Sequence, residues 1–480
     1  MPPTNILWLS GKPKFDMHII HPLLKEIAAL FRARDREVCL VGGAVRDMLR
    51  GKKSRDWDIA TNATPEEVTA IFRSPARGRP RASVIPTGIK HGTVTVLYRG
   101  RSIEITTYRT EAGYTDGRRP DEVRYTSRIE EDLSRRDFTM NAIALRLPKG
   151  EKIDPFGGQA DIKAGIIRCV GNPTERFAED GLRPLRAVRF AAQLAYALEA
   201  GTLAAIPGAL EISAKVSAER VRDELEKIIA SDKPSRAFLL MEQTGLLRLF
   251  LPELAACRGI DQKGFHRFDV LEHSLLACDY AAEQKYPQDV RIAALLHDIG
   301  KPPTRQMGAD GVWTFYQHEH ESEKLARGIL ERLRYPNAVV DSVCHLVKEH
   351  MFHYTDEWSA AAVRRFIVRA GEESLTALYR LRRADSYATA KVEPPANFLL
   401  PLARRVEKSL NENNAFSLKD LAVSGNDLIE MGIKPGKTLG VILDQLLETV
   451  LDDPAQNNRE DLLKIAGKLY EKMASVASVD

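Results

Sequence analysis

Val38-Cys39-Leu40-Val41-Gly42-Gly43-Ala44-Val45-Arg46-Asp47, followed closely by Asp56-Trp57-Asp58, decides the reading of the first third of the chain. The four apolar residues form a short strand that ends in a glycine pair, and a short helix opens over residues 46–49. Gly42 and Gly43 let backbone N–H groups come close to a triphosphate. Asp56 and Asp58 flank the start of a second strand over residues 57–60. Alternate positions on a strand share a face, so both carboxylates can hold the same metal ions. A glycine pair or an isolated Asp-x-Asp is common in ordinary turns. Together in one strand–helix–strand stretch, with Arg135-Arg136-Asp137 downstream, they point to metal-assisted nucleotide transfer.

Composition sets the bounds. The 480 residues suffice for about three domains of ~150 residues. A hydrophobic content of 44% and a charged content of 28% describe an ordinary globular protein. The formal net charge is only +4, so any nucleic-acid surface is a local patch. The 5 cysteines are scattered, without a C-x-x-C pair, which argues against a disulfide framework or thiolate zinc site and fits a reducing cytoplasm. Pro2, Pro3 and Pro13 break the first fifteen residues, which lack a signal-peptide core. No apolar run approaches the ~20 residues of a membrane span, and a cytoplasmic location without a membrane partner is expected.

Residues 19–34 carry the spacing of an amphipathic helix, and Thr64-Pro65-Glu66-Glu67 that of a helix start with Thr64 as cap. Residues 93–98 and 102–107 read as strands joined by an Arg99-Gly100 turn. From Glu175 onward the periodicity is helical almost throughout. The expected fold is α+β: a small mixed head followed by an all-α remainder. Expected boundaries are 1–150 for the head, 151–265 for a helical neck and body, 266–390 for a second metal-binding domain, and 391–480 for a C-terminal helical region.

The motifs, in their order, resemble the class II tRNA nucleotidyltransferases, the bacterial CCA-adding enzymes and their poly(A) polymerase relatives. The resemblance covers about residues 20–230. It rests also on Pro86-Thr87-Gly88-Ile89-Lys90-His91-Gly92-Thr93, Glu104-Ile105-Thr106-Thr107-Tyr108-Arg109, residues 135–141, Asp154-Pro155-Phe156-Gly157-Gly158, Glu179-Asp180-Gly181-Leu182-Arg183 and Glu219-Arg220. It implies a polymerase-β-type head, followed by neck and body helices. It also implies attack of a tRNA 3′-hydroxyl on the α-phosphate of CTP or ATP. Two magnesium ions on the catalytic pair Asp56 and Asp58 would assist.

Gly42, Gly43, Arg46, Arg135, Arg136, Asp137, Asn141, Glu179, Asp180, Arg183 and Arg186 are the expected nucleotide-binding residues. Arg46 either neutralises phosphate or pairs locally; Glu104 is either a buttress or an exposed strand charge. Arg135-Arg136-Asp137 suits a ribose, with Asp137 as hydroxyl acceptor. Asp180 and Arg183 offer an acceptor and a donor to the amine edge of cytosine or adenine, with Glu179 orienting Arg183. Guanine and uracil place a carbonyl against the carboxylate instead, which leaves desolvated groups unmatched.

Gly181 and Pro184 depart from the family's wording, and because proline suits only a first turn, the helix is expected to start near Gly181. Arg183, Arg186 and Arg189 then form either a basic stripe or part of the reading site. Asp154–Gly158 resembles a flexible joint, and residues 110–124 either resemble a mobile loop or are an ordinary surface loop. Glu219-Arg220, with Arg222 and Glu224, starts a charged helix that either braces the neck or faces solvent.

Further on, His273, His297-Asp298-Ile299-Gly300-Lys301, His318, His350 and Asp385 resemble an HD metal-dependent phosphohydrolase domain. The expected ligands of its divalent ion are His273, His297, Asp298 and Asp385, with His318 and His350 as additions. His320 competes with His318 for one position, and Lys301 suits a phosphate contact. The competing functions are A-only or poly(A) addition, an HD phosphohydrolase, and an RNA-binding protein with an inactive head.

Overall fold

A computed structural model describes residues 20–52, 54, 56–73, 82–85, 92–112, 122–262, 267–309, 311–412 and 415–477. The expected motif segment 86–91 and loop segment 113–121 lie outside the described residues. The chain divides into two compact units, Met1–Ile228 with Arg236–Phe250, and Ile229–Ser235 with Leu251–Asp480.

The first unit opens with α1 (Pro22–Arg32), which buries Leu23, Leu24, Ile27 and Phe31 at helical spacing. There follow β1 (Val38–Val41), α2 (Gly43–Leu49), β2 (Asp58–Thr61), α3 (Pro65–Arg73), β3 (Ser83–Ile85), β4 (Thr93–Tyr98), β5 (Arg101–Thr107), β6 (Arg109–Ala112), β7 (Glu122–Tyr125), α4 (Ile129–Ser134), β8 (Ala144–Arg146) and β9 (Glu151–Ile153). One sheet runs β3-β4-β5-β2-β1-β8-β9, antiparallel throughout except where β2 and β5 lie parallel. That parallel register sets Asp58 beside Glu104. Helix α2 starts at Gly43, three residues before the expected opening, because the Gly42 carbonyl already accepts from Arg46 N–H. Gly42 itself has φ 68°, a left-handed turn that favours glycine.

Local signals behave as the residues dictate. Glu67 accepts from Thr64 N–H at 2.9 Å while the Thr64 hydroxyl accepts from Glu67 N–H at 3.3 Å, a reciprocal cap on α3. Arg99 and Gly100 are both left-handed, as a two-residue hairpin turn requires. The ends of the expected loop 110–124 form a ladder, with Thr110 opposite Arg124.

Helices α5 (Gly158–Ala164), α6 (Pro173–Glu179), α7 (Arg183–Leu194), α8 (Ala200–Ala205), α9 (Leu210–Ser213), α10 (Ala218–Ile229), α11 (Ser235–Thr244) and α12 (Leu246–Phe250) follow. Asp154–Gly158, expected as a flexible joint, is a tied turn. Gly158 and Gln159 N–H donate to the Asp154 carboxylate at 2.7 and 2.9 Å, and a Cβ at Gly158 would overlap the Thr139 carbonyl. Helix α7 starts at Arg183, two residues later than expected, with Pro184 in its first turn. Gly181 stays outside it because the α9 backbone lies against it: a Cβ there would overlap the Ile212 carbonyl, and the Ser213 hydroxyl donates to the Gly181 carbonyl at 2.8 Å.

The expected basic stripe on α7 is instead a row of ion pairs. Arg183 pairs with Glu179, Arg186 with Asp137, and Arg189 with Glu224. Glu224 is buried, so α10 braces α7 rather than facing solvent along that side. Asp137 receives the Arg186 fork at 2.9 and 2.6 Å. Burial alone would raise its carboxyl; Arg186 and the Asn141 amide outweigh burial and hold it at about 2.

The second unit is helical: α13 (Pro252–Ala255), α14 (Val270–Glu283), α15 (Gln288–Leu296), α16 (Lys301–Thr304), α17 (His318–Arg332), α18 (Asn337–Glu349), α19 (Ala360–Ala370), α20 (Leu375–Ala390), α21 (Leu400–Asn411), α22 (Gly425–Glu430), α23 (Lys437–Asp452) and α24 (Arg459–Ala477). Helix α14 packs on α15 and α20, and α18 packs on α15 and α17. Ile442 and Leu446 of α23 meet Leu428, Leu462 and Ala466, so the expected helices 439–447 and 462–473 close a small core. Among the described residues no helix is long and apolar enough to cross a membrane.

Two outcomes follow for stability. Gly181→Ala forces α9 away from the α6–α7 link and costs about 1–3 kcal/mol, seen as a lower urea midpoint. Gly208→Ala, which meets open space, leaves that midpoint in place. The Asp137 pair contributes fully above its ordinary value of 3.8 and is lost as the pH falls through about 2. That depression corresponds to roughly 2 kcal/mol. The stability gap between the wild type and Asp137→Asn in urea titrations narrows between about pH 4 and 2; a gap that stays constant over that range removes the assignment.

Candidate active site

A cavity of about 360 Å³ in the first unit gathers Asp58, Glu104, Thr106, Arg135, Arg136, Asp137, Asp180, Arg183, Arg186 and Arg220. Strands β1, β2 and β5 form one wall; the segment after α4, the α6–α7 link and α10 form the rest. Of the residues expected from sequence, Gly42, Gly43, Arg46, Asn141 and Glu179 do not line the cavity. Asp56, expected at an alternate position on the same strand as Asp58, instead lies in an exposed bend before β2 and is not among the lining residues.

Asp58 faces the open cleft, yet the protein around it excludes enough water to raise its carboxyl. The Arg136 charge opposes that shift and the Asp56 charge adds to it. Glu104, directly beside it on β5, is a second exposed carboxylate. Like charges in register on neighbouring strands destabilise a sheet, and a cation between them removes the cost. Gly42 lies close enough that a Cβ would sit 3.3 Å from Asp58 Oδ2 and 3.1 Å from Arg136 Nη1. This glycine therefore serves both the turn and the close approach.

The arginines divide into those spent on the protein and those left with a donor. Arg46 makes the local pair rather than an open phosphate contact, donating to Asp47 and to Asn141 Oδ1, each at 3.0 Å. Arg135 is held by Asp132 at 2.7 Å and Glu111 at 2.9 Å. Arg136 reaches Asp132 at 3.3 Å, but its Nε is buried without a partner. Asp137, expected as a ribose acceptor, has no acceptor position left. Oδ1 takes Phe138 N–H and the Asn141 amide, and Oδ2 takes both Arg186 donors. As placed, it holds Arg186 instead.

Arg183 donates to Glu179, to the Arg176 carbonyl at 2.8 Å and to the Arg135 carbonyl at 3.1 Å, so Glu179 orients it as expected from the sequence. Asp180 accepts from Leu182 N–H at 3.0 Å and from Arg220 Nη2 at 2.8 Å. From the sequence, Arg220 sits on a helix that either braces the neck or faces solvent. The Glu219-Arg220 pair was visible, but nothing in one sequence brings it to Asp180. An acidic floor beside several guanidinium groups can hold a polyphosphate and its cations, with Asp180 positioned to meet a base.

The second unit holds another centre. His273 comes from α14, His297 and Asp298 from the end of α15, His318 from the start of α17, His350 from the end of α18, and Asp385 from α20; all six are buried. His273 Nε2 lies 3.1 Å from both His297 Nε2 and Asp385 Oδ1. Asp298 Oδ2 faces His273 and His297 at 3.5 and 3.4 Å, while its Oδ1 faces His318 and His350 at 3.2 and 3.8 Å. Nδ1 of His297, His318 and His350 lies 2.9, 2.9 and 2.6 Å from the carbonyls of Ala294, Phe315 and Val347. An Nδ1–H donating there points each Nε2 inward, where its deprotonated form is a metal ligand.

His318 faces the cluster and His320 is exposed, which settles their competition for one position. Lys301, expected at a phosphate, reaches Asp298 at 2.6 Å and Gln262 at 2.5 Å. Burial lowers the His297 pKa, but the Asp298 charge raises it further, to about 10. Burial and the neighbouring His297 hold His350 at about 3. Asp298 and Asp385 are driven well below the carboxylate range: against burial, the His297 charge acts on Asp298 and hydrogen bonds from His273 and His297 act on Asp385.

Residues 38–168 match the family described as "Poly A polymerase head domain", 195–258 match "Probable RNA and SrmB- binding site of polymerase A", and 309–466 match "tRNA nucleotidyltransferase domain 2". The CCA-adding enzyme of Lactiplantibacillus plantarum is 32% identical over 448 residues, 92% of this chain and 95% of that protein. The CCA-adding enzyme of Geobacillus stearothermophilus is 34% identical over 425 residues, 88% and 90% of the two chains. The crystal structure of the Bacillus stearothermophilus CCA-adding enzyme in complex with CTP aligns with 98% of this chain and 100% of its own, with 30% identity and a TM-score of 0.68. With a mixed head, helices behind it and relatives matched along nearly their whole length, the chain belongs to the CCA-adding enzyme family.

Proposed function

We propose that this chain adds C, C and A in turn to the 3′ end of tRNA, using CTP and ATP without a nucleic-acid template. The observation that carries the reading is a cavity lined by Asp58 and Glu104 together with Asp180 and Arg183. One side of that space suits a triphosphate and the other a base, and the similar Bacillus stearothermophilus enzyme is known with CTP bound.

The residues fit divalent cations of the magnesium type. Asp56 and Asp58 are hard oxygen donors beside a third carboxylate, and Asp58 already feels the charge of Asp56. Two such ions, when bound, stabilise the attacking and leaving oxygens of an in-line displacement. The tRNA 3′-oxygen forms a bond to the α-phosphorus, the bond to the bridging oxygen breaks, and pyrophosphate leaves. Arg136, with its unpartnered Nε, is the donor for the phosphates. Asp137 serves indirectly by holding Arg186. Asp180 accepts from the exocyclic amine that cytosine and adenine share; guanine and uracil set a carbonyl against it. A site built on such pairing discriminates strongly, because a wrong base leaves buried groups unpaired.

A second reading concerns the second unit: it is a divalent-metal phosphohydrolase centre of the HD type. The inward-facing Nε2 atoms of four histidines around Asp298 and Asp385 support it, and imidazole with carboxylate suits a transition metal or magnesium. A divalent ion there supplies Lewis-acid activation of a phosphoester.

Asp56→Ala and Asp58→Ala each lower nucleotide incorporation roughly 10³-fold, the effect of losing several kcal/mol of charge stabilisation. Binding of tRNA by filter retention stays near wild type. With tRNA lacking its last three nucleotides, wild type incorporates two C residues and then one A; unlimited A addition to arbitrary RNA contradicts the reading. For the second centre, elemental analysis finds divalent metal in the purified wild type and little in His297→Ala. Equal content in both proteins removes that site.

A further inference from the structure

We propose that Arg220 is a base-selecting residue: it holds the Asp180 carboxylate through one nitrogen and offers the other to the ring acceptor beside the amine that Asp180 meets. This rests on the nucleotide-addition reading and adds a residue to it. Three observations carry the inference. Arg220 lines the same cavity as Asp58 and Asp180. Its Nη2 donates to Asp180 Oδ2 at 2.8 Å, which sets the two groups side by side. Its Nη1 is buried and donates to nothing among the described residues. A buried cationic N–H without an acceptor is costly to leave so, and a ligand acceptor relieves it.

The neighbouring arginines are more heavily committed. Of the five N–H donors of Arg183, three go to Glu179, the Arg176 carbonyl and the Arg135 carbonyl. Arg186 gives two to Asp137. Arg220 thus joins contact with Asp180 to an unused, buried donor. A carboxylate beside a guanidinium presents acceptor then donor. Cytosine and adenine answer with an amine next to an unprotonated ring nitrogen; uracil and guanine present a carbonyl next to a ring N–H, the reverse pattern. Arg220 would therefore reject the wrong bases as well as bind the right ones.

The test measures binding of CTP, UTP and inorganic triphosphate to the full chain by calorimetry, for wild type, Arg220→Lys and the control Arg222→Lys. Arg222, on the same helix, pairs with its neighbour Asp223 and does not line the cavity. Arg220→Lys keeps the charge but loses the planar fork. The expected result is about a tenfold loss of CTP affinity, the scale of one charge-assisted hydrogen bond, with a smaller preference over UTP and unchanged triphosphate binding. Asp180→Asn combined with Arg220→Lys then costs less than the sum of the two single changes, because the residues act as a unit. Thermal melting of each variant checks folding. If Arg220→Lys keeps the full preference for CTP, or loses CTP and triphosphate equally, the proposal fails while nucleotide addition stands. If wild type itself shows no preference for CTP over UTP, the parent reading fails and this one with it.

Discussion

The arrangement of the first unit depends on placing ionised carboxylates where water is scarce and answering each with a guanidinium fork. Asp137 is the clearest instance. A buried carboxylate without a partner would take up a proton or destabilise the fold by several kcal/mol. With Arg186 bidentate on one oxygen and Asn141 and Phe138 on the other, it stays charged. The same logic repeats at Glu224 with Arg189 and at Glu179 with Arg183. These pairs tie α6, α7 and α10 to the segment that follows α4. The cavity exists because they hold its far wall at a set distance from β2.

The chain contains two acidic centres that solve opposite problems. In the head, Asp58 and Glu104 are exposed along an open cleft and suit cations that arrive with a polyphosphate. In the second unit, Asp298 and Asp385 are enclosed by imidazoles and held far below the ordinary carboxylate range. Oxygen donors in water suit a hard, partly hydrated ion. A closed set of nitrogen and oxygen donors suits a resident metal. Nothing in the chemistry of either requires the other.

Much of this was legible in residue order. Strand β1 has the expected bounds, the Arg99-Gly100 turn follows from the two left-handed residues it needs, and Thr64 with Glu67 caps α3 as its spacing implies. Signals of this kind are local: a few neighbouring side chains and one backbone conformation settle them. Where the reading and the structure part, a distant backbone intervened. Helix α7 begins late because α9 lies on Gly181, and at Gly158 the Thr139 carbonyl leaves no room for a Cβ.

Order and spacing alone determined the mixed head with its glycine turn and the helical remainder, because periodicity and turn chemistry are written in adjacent residues; the histidine and aspartate set of the second unit was implied by the wording of its motifs. The tertiary structure alone decided which arginines are spent and which keep a donor, that Asp137 is filled by Arg186, that His318 and not His320 faces the cluster, and that Arg220 meets Asp180. Charge partners are chosen by distance in space, and a hydrogen bond between groups far apart in the chain leaves no trace in the spacing of either.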